Sequence, residues 1–156
     1  MQALRARASK SEAVATQLLG RWHPDSLSVF AWDAVLSDSA QVTLARSQAS
    51  IERTLDAERA GTLTIETVWA EDGTYTHRLL DAEGAERYTK NGTWRVDACG
   101  TIACTRADGG LCPHDGYRVL RLDLDALGGP RLVLGHEWTE GDAAGLGERI
   151  YLRRQP

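Results

Sequence analysis

The spacing of apolar and polar positions changes character at Thr62. From there to the C-terminus, short stretches alternate apolar with polar residues and are broken at intervals of about eight to twelve residues by turn signals, the period-two pattern of half-buried strands. Seven strands are predicted: Thr62 to Ala70, Thr74 to Asp81, Glu86 to Asp97, Thr101 to Arg106, Tyr117 to Asp125, Arg131 to Thr139 and Glu148 to Arg154. The third of these is read as running through Asn91-Gly92, which offers a tight hairpin turn or a bulge as the alternatives.

Ahead of Thr62 the pattern is helical in two places. Ser9-Lys10-Ser11-Glu12 has the S-x-x-E spacing of a capping box, Val14 and Leu18 share one face, and Gly20 can end the helix, so a short helix over about 10 to 19 is expected. Ser47 to Arg59 places Ile51 and Leu55 four apart among charged residues and stops at Gly61, which predicts a second helix. Between them, Leu27, Val29 and Ala31 alternate as a strand would, while Ser26 to Leu36 could equally coil with Phe30 and Ala34 inward. A further strand is expected to open at Gly20, making eight. No β-helix-β spacing occurs after Thr62, so consecutive antiparallel neighbours are the natural topology. The fold class expected is mainly β: an eight-stranded antiparallel up-and-down barrel with a short N-terminal helix and a helical segment after the first strand. The runner-up is an α+β cone of the ketosteroid-isomerase type, which would need a helix inside the sheet region.

A chain of 156 residues fits one domain, 1 to 156, in which residues 1 to 8 read as disordered and 23 to 60 as a lid. The formal net charge is -4, with 18 basic residues interleaved among 22 acidic ones, which argues against nucleic acid or acidic lipid as partner. No apolar run has the length of a secretory or membrane-spanning segment, and the expected location is the cytoplasm. Phosphate-binding glycine loops, nucleophile elbows and H-E-x-x-H are absent, so no cofactor is expected.

Alternation assigns an interior. Leu132, Leu134, His136 and Trp138 share one face; Leu120, Leu122 and Leu124 another; Leu63, Ile65 and Trp69 a third with Thr67 between them; Tyr75, His77 and Leu79 a fourth; Trp94 joins Val96. This lining is apolar and aromatic with one or two histidines, the character of a small-molecule pocket. A core simply packed solid would show the same periodicity. Cys99, Cys104, Cys112 and His114 form C-x4-C-x7-C-x-H, compatible by count with a zinc site but not by spacing; a Cys104-Cys112 disulfide is a second option, and partly buried free thiols with no metal are the favoured reading.

Gly20-Arg21-Trp22 resembles the G-x-W that opens the first strand of lipocalins, and Arg153 or Arg154 resembles the basic residue that covers that tryptophan at the barrel floor. Glu71-Asp72-Gly73-Thr74-Tyr75 followed by Gly92-Thr93-Trp94-Arg95-Val96 is similar to a recurring rhythm of bacterial lipocalin-like domains. The chain differs from secreted lipocalins in lacking a signal peptide and a T-D-Y motif, and its segment after the first strand is similar in place to the helical lid of intracellular fatty-acid-binding proteins. The resemblance implies a calycin barrel in which Trp22, Arg153 and Arg154 form a structural latch.

Two functions are expected. The first is binding of a hydrophobic small molecule, with Trp69, Tyr75, Trp94, Leu122, Leu134 and Trp138 as ligand-binding residues. The second, implied by lipocalin-like cyclases of bacterial natural-product pathways, is a cofactor-independent cyclase or isomerase that holds a substrate such as a polyketide chain in reactive shape, with His136, His77 or Tyr75 polarising a carbonyl or moving a proton. Pairing with a second copy of the chain is left open.

Overall fold

A computed structural model describes residues 12–156. The expected capping box and the segment read as disordered fall in whole or in part outside the described residues. Helix α1 (12–18) leads into β1 (Gly20–Ala31), helix α2 (Asp38–Arg59) and then β2 (Leu63–Trp69), β3 (Thr74–Asp81), β4 (Glu86–Val96), β5 (Ile102–Thr105), β6 (Arg118–Asp123), β7 (Arg131–Glu137) and β8 (Leu146–Arg154). Every paired strand is antiparallel, in the order β5-β4-β3-β2-β1-β8-β7-β6. The two ends of that order nearly meet. Thr101 bridges Arg118, the Ile102 N–H donates to the Tyr117 carbonyl at 2.7 Å, and the Val119 N–H donates to the Gly100 carbonyl at 3.0 Å. The sheet is therefore an almost closed eight-stranded up-and-down barrel, which leaves little free edge. A cone would need a helix within the sheet region; between β2 and β8 only a three-residue turn of 3-10 helix, Gly141–Ala143, occurs.

β1 explains why its stretch of sequence was ambiguous. It pairs with β2 only over Gly20 to Trp22 and with β8 from Trp22 to Ala31, with an irregularity between Pro24 and Ser26. Proline has no N–H to give a ladder and sits well at such a bulge. The extra residue shifts the parity, so Trp22 and Pro24 face inward before it and Leu27 after it. Residues 23–31 are thus barrel wall, and only the segment beyond Ala31 is placed to cover the barrel. Helix α2 begins where the Ser37 hydroxyl accepts the Ala40 N–H at 3.1 Å, well before Ser47. It packs on β1 and β2, the strands that part company after Trp22, and buries Ala40 and Leu55.

The sequence-derived interior needs one correction, and one alternative reading is removed. In β6 a bulge between Val119 and Arg121 turns Val119 and Leu122 toward the core, leaving Leu120 and Leu124 exposed. Asn91-Gly92 forms neither a hairpin turn nor a bulge: β4 runs straight through it, and the irregularity lies where Leu79 and Leu80 meet Tyr88 and Glu86. Gly92 is needed for another reason. A Cβ there would stand 2.5 Å from the Thr105 carbonyl oxygen, so only glycine lets β4 and the end of β5 approach.

At the floor, Trp22 is fully buried and its Nε1–H donates to the Leu18 carbonyl at 2.8 Å, tying α1 to the barrel. The Arg154 guanidinium lies 5.7 Å from the centre of the Trp22 ring. Its stem fills the space a side chain at Gly20 would need, with Cδ 2.9 Å from that position, and Gly20 itself has φ +129°. Arg153 does not share in this contact; it faces the outside, 3.3 Å from the Asp25 carboxylate.

Candidate functional site: the barrel interior

A cavity of about 250 Å³ opens inside the barrel above the packed floor. Pro24, Leu27, Ile65, Ile150 and Leu152 give it an apolar side, and Pro113 roofs it from the β5–β6 loop. The remaining wall is polar: Thr67, His77, His114, Tyr117 and Glu148. Thr67, His77 and Glu148 arrive by strand parity, whereas Tyr117 and His114 come from the loop before β6, His114 with a left-handed backbone, φ +67°, the one non-glycine residue of positive φ among the described residues.

Two of these histidines are tied to buried hydroxyls. Thr67 is buried and its hydroxyl lies 2.9 Å from His77 Nδ1; the Tyr75 hydroxyl, also buried, lies 2.8 Å from His114 Nδ1. The Thr67 and Tyr75 side chains are also partners of each other, so the four groups form one buried network. In the arrangement where both hydroxyls donate to Nδ1, the imidazole protons sit on Nε2. Burial keeps both rings neutral, pulling His77 down to about 4, with Lys90 adding to the effect, and His114 down to about 3, with His77 adding to it. The two rings stand edge to face with centroids 5.6 Å apart. They present N–H donors that stay uncharged at neutral pH.

Glu148 is different in kind. Tyr117 donates its O–H to Glu148 Oε2 at 2.7 Å, leaving Oε1 for other partners. Burial pushes the Glu148 carboxyl above the usual glutamate range, while the Tyr117 hydrogen bond and nearby His136 pull it back. Burial likewise raises the Tyr117 phenol, helped by the Glu148 charge, so it remains a donor. The Tyr117 ring stacks on His136 with centroids 5.1 Å apart, and His136 Nδ1–H donates to the Gly116 carbonyl at 3.1 Å, which leaves His136 Nε2 unprotonated when the ring is neutral.

Residues expected to form the site are dispersed. His77 lines the cavity. Tyr75 supports it from behind through His114. Trp69 is buried among Trp22, Tyr75, Trp94 and His114, and its Nε1–H has no partner among the described residues. Trp94 lies at the floor beside α1, its N–H on the Ala70 carbonyl at 3.1 Å. Leu134 is buried in the packed core and Leu122 lies against it. His136 lines a separate hollow of about 430 Å³, shared with Arg118, Arg149 and the same Glu148, and Trp138 lies edge-on to His136 at 4.8 Å.

Four polar wall residues were not singled out from sequence as catalytic or ligand-binding: Thr67, His114, Tyr117 and Glu148. Glu148 could have been found. Leu146, Ile150 and Leu152 of β8 are all buried, so the residue two before Ile150 had to face inward, charged as it is. Tyr117 and His114 belong to a loop whose course alternation does not describe.

The favoured reading of free thiols is corrected. Cys104 and Cys112 are joined in a disulfide across the loop that carries His114, and Cys99 is free and exposed. The zinc alternative fails with it: His114 faces Tyr75, and among the described residues no group of three or more His, Cys, Asp or Glu is arranged to hold a metal ion. No described helix is long and apolar enough to cross a membrane. Comparison with protein-family models, curated proteins and solved structures finds no match to this chain.

Proposed function

We propose that this chain is a lipocalin-like barrel that binds a small, largely apolar molecule carrying a hydrogen-bonding head. The observation that carries the reading is the interior cavity of about 250 Å³, apolar on one side and furnished on the other with two neutral N–H donors and a carboxylate. Such a wall suits a ligand with one acceptor, received by His77 and His114, and an apolar body against Leu27, Ile65, Ile150 and Leu152. The latch of Trp22 and Arg154 supports the likeness to lipocalins.

The pair 2-tetralone and tetralin tests this, since the two share a hydrocarbon frame and only the first has a carbonyl. Calorimetric titration should detect 2-tetralone with tetralin weaker, and Ile150→Trp, which fills the cavity, should abolish the signal while the protein stays folded by circular dichroism. Unchanged affinity in Ile150→Trp would place the ligand elsewhere and refute the proposal.

A second reading is favoured by one observation, the Glu148–Tyr117 pair at the cavity wall. A packed barrel or a passive carrier has no need of a buried carboxylate facing its cavity, whereas a cofactor-independent cyclase or isomerase does.

A further inference from the structure

We propose that the barrel interior catalyses proton transfer at the carbon beside a carbonyl group, with Glu148 taking the proton and the Nε2–H groups of His77 and His114 receiving the charge that develops on the carbonyl oxygen. The proposal rests on the ligand-binding reading above and names the substrate class, a small and largely apolar enolisable ketone.

The geometry supplies each part of the reaction. Glu148 and the two imidazoles line one cavity, so a ketone seated in it meets an acceptor and a pair of donors at once. In the forward step a C–H bond breaks, its proton goes to Glu148, its electron pair enters a new C=C bond, and the carbonyl π pair settles on oxygen. Return of the proton to the same carbon gives exchange or racemisation; return to a vinylogous carbon moves a double bond. Glu148 ends as it began, and no oxidant, reductant or co-reactant is consumed.

Neutral donors suit this chemistry. With Thr67 and Tyr75 donating to the Nδ1 atoms, His77 and His114 carry their protons on Nε2, and hydrogen bonds aimed at a forming enolate inside a barrel need little reorganisation. Glu148, lifted by burial, is a stronger base than a surface glutamate, and the Tyr117 O–H bonded to its Oε2 favours the ionised form and pulls it back. Nucleophilic catalysis is poorly served by the same wall: the Thr67 hydroxyl is committed to His77, and Cys104 is tied to Cys112. Tyr117 acts through Glu148 and is a positioning residue.

The test is deuterium exchange. 2-Tetralone is incubated with the protein in D2O near pH 6, and proton NMR tracks loss of the signals from the carbons flanking its carbonyl, with calorimetry of the same samples. Wild type should exchange faster than buffer, and Glu148→Gln should lose roughly a hundredfold of that enhancement, within the usual share of a general base, while still binding the ketone. Tyr117→Phe should still exchange, with the acid limb of its pH–rate profile moved upward, because the hydrogen bond that held the carboxylate ionised is gone. That shift gives a second readout if Glu148→Gln folds poorly. Binding with exchange no faster than buffer overturns the proposal and leaves the binding reading standing; exchange undiminished in folded Glu148→Gln also overturns it. Absence of binding overturns both.

Discussion

Truncating Trp22 to alanine should weaken the fold far more than it alters the cavity. Three contacts go at once: a fully buried indole, its N–H bond to the Leu18 carbonyl and its contact with the Arg154 guanidinium. A buried tryptophan cut to alanine costs about 3 to 5 kcal/mol, and that figure includes the void left beside Trp69, whose ring centroid is 6.4 Å away. Stranding the Leu18 carbonyl pushes toward the upper end, since an unpaired buried acceptor costs about 1 to 3 kcal/mol by itself. Domains of this size are stable by about 5 to 15 kcal/mol, so about a fifth or more of the total is at stake. At about 2 to 4 °C per kcal/mol, the melting temperature should fall by roughly 6 to 20 °C. Differential scanning calorimetry measures it directly. Trp22→Phe should lose less, because the apolar contact survives and only the N–H is missing. A double-mutant cycle with Arg154→Met should return a coupling of about 0.5 to 2 kcal/mol for the cation over the ring. Since Trp22 does not line the cavity, affinity for 2-tetralone should hold in the variants that fold. A melting point within the scatter of wild type for Trp22→Ala, or zero coupling to Arg154, would refute the latch.

Stability should also fall in acid. The folded pKa values of His77 and His114, about 4 and about 3, lie below the unfolded value of 6.5, so the unfolded chain binds more protons between these limits and stability is lost as pH drops through that window. The slope is at most about 1.4 kcal/mol per pH unit for each histidine, opposed below the middle of the window by Glu58 and Glu148, whose carboxyls burial raises. Melts from pH 7 to pH 4 should show the fall, and His114→Asn, which tolerates the left-handed backbone, should flatten it; an equal slope in that variant refutes the assignment. Reducing the Cys104–Cys112 bridge, which spans eight residues, should cost about 2.5 kcal/mol on the chain-entropy account, read as a lower melting temperature in dithiothreitol. Without reductant or denaturant, a thiol reagent should titrate one group per chain, Cys99; three would refute the bridge. Gly92→Ala should destabilise by about 1 to 3 kcal/mol because its Cβ meets a backbone carbonyl that cannot swing aside, and denaturant unfolding with a midpoint equal to wild type would contradict that.

Alternation made β2 to β8 legible because each of these strands has one face toward the core and one away from it. It failed where a bulge inserts a residue. At Pro24 to Ser26 the shifted parity disguised β1, and at Val119 to Arg121 it sent Leu120 outward and Val119 inward. The first half of α2 was missed because its two large apolar residues, Val42 and Leu44, stand two apart instead of three or four and Val42 is itself exposed, so helical periodicity had little to register there. The site was harder still. Tyr75 meets His114 across 39 positions and Tyr117 meets Glu148 across 31, and nothing local in either residue announces its partner. His136, singled out because it alternates with leucines, is a part-buried neighbour of the carboxylate; the decisive residue was two before Ile150 on the adjoining strand.

The barrel interior is not uniform: part of it is packed core and part is an unfilled, partly polar cavity. A barrel of this size could be filled with apolar side chains throughout, as its floor is by Leu18, Trp22 and Trp69, and would be the more stable for it. Instead His77, His114, Tyr117 and Glu148 face a shared space that the core does not fill. Each desolvated polar group is costly unless paired, and here the pairs lead back into the wall, Thr67 to His77, Tyr75 to His114 and Tyr117 to Glu148, so that Nε2 of each imidazole and Oε1 of the carboxylate are the atoms left for a guest. The same patch contains the left-handed backbone of a residue that is not glycine, which adds about 1 to 3 kcal/mol of strain where the residue's own side chain does not relieve it. The disulfide closes the loop that bears this strain. Buried polarity, an unfilled volume, backbone strain and a covalent brace thus coincide on one side of the barrel, away from the floor where Trp22 and Arg154 pack.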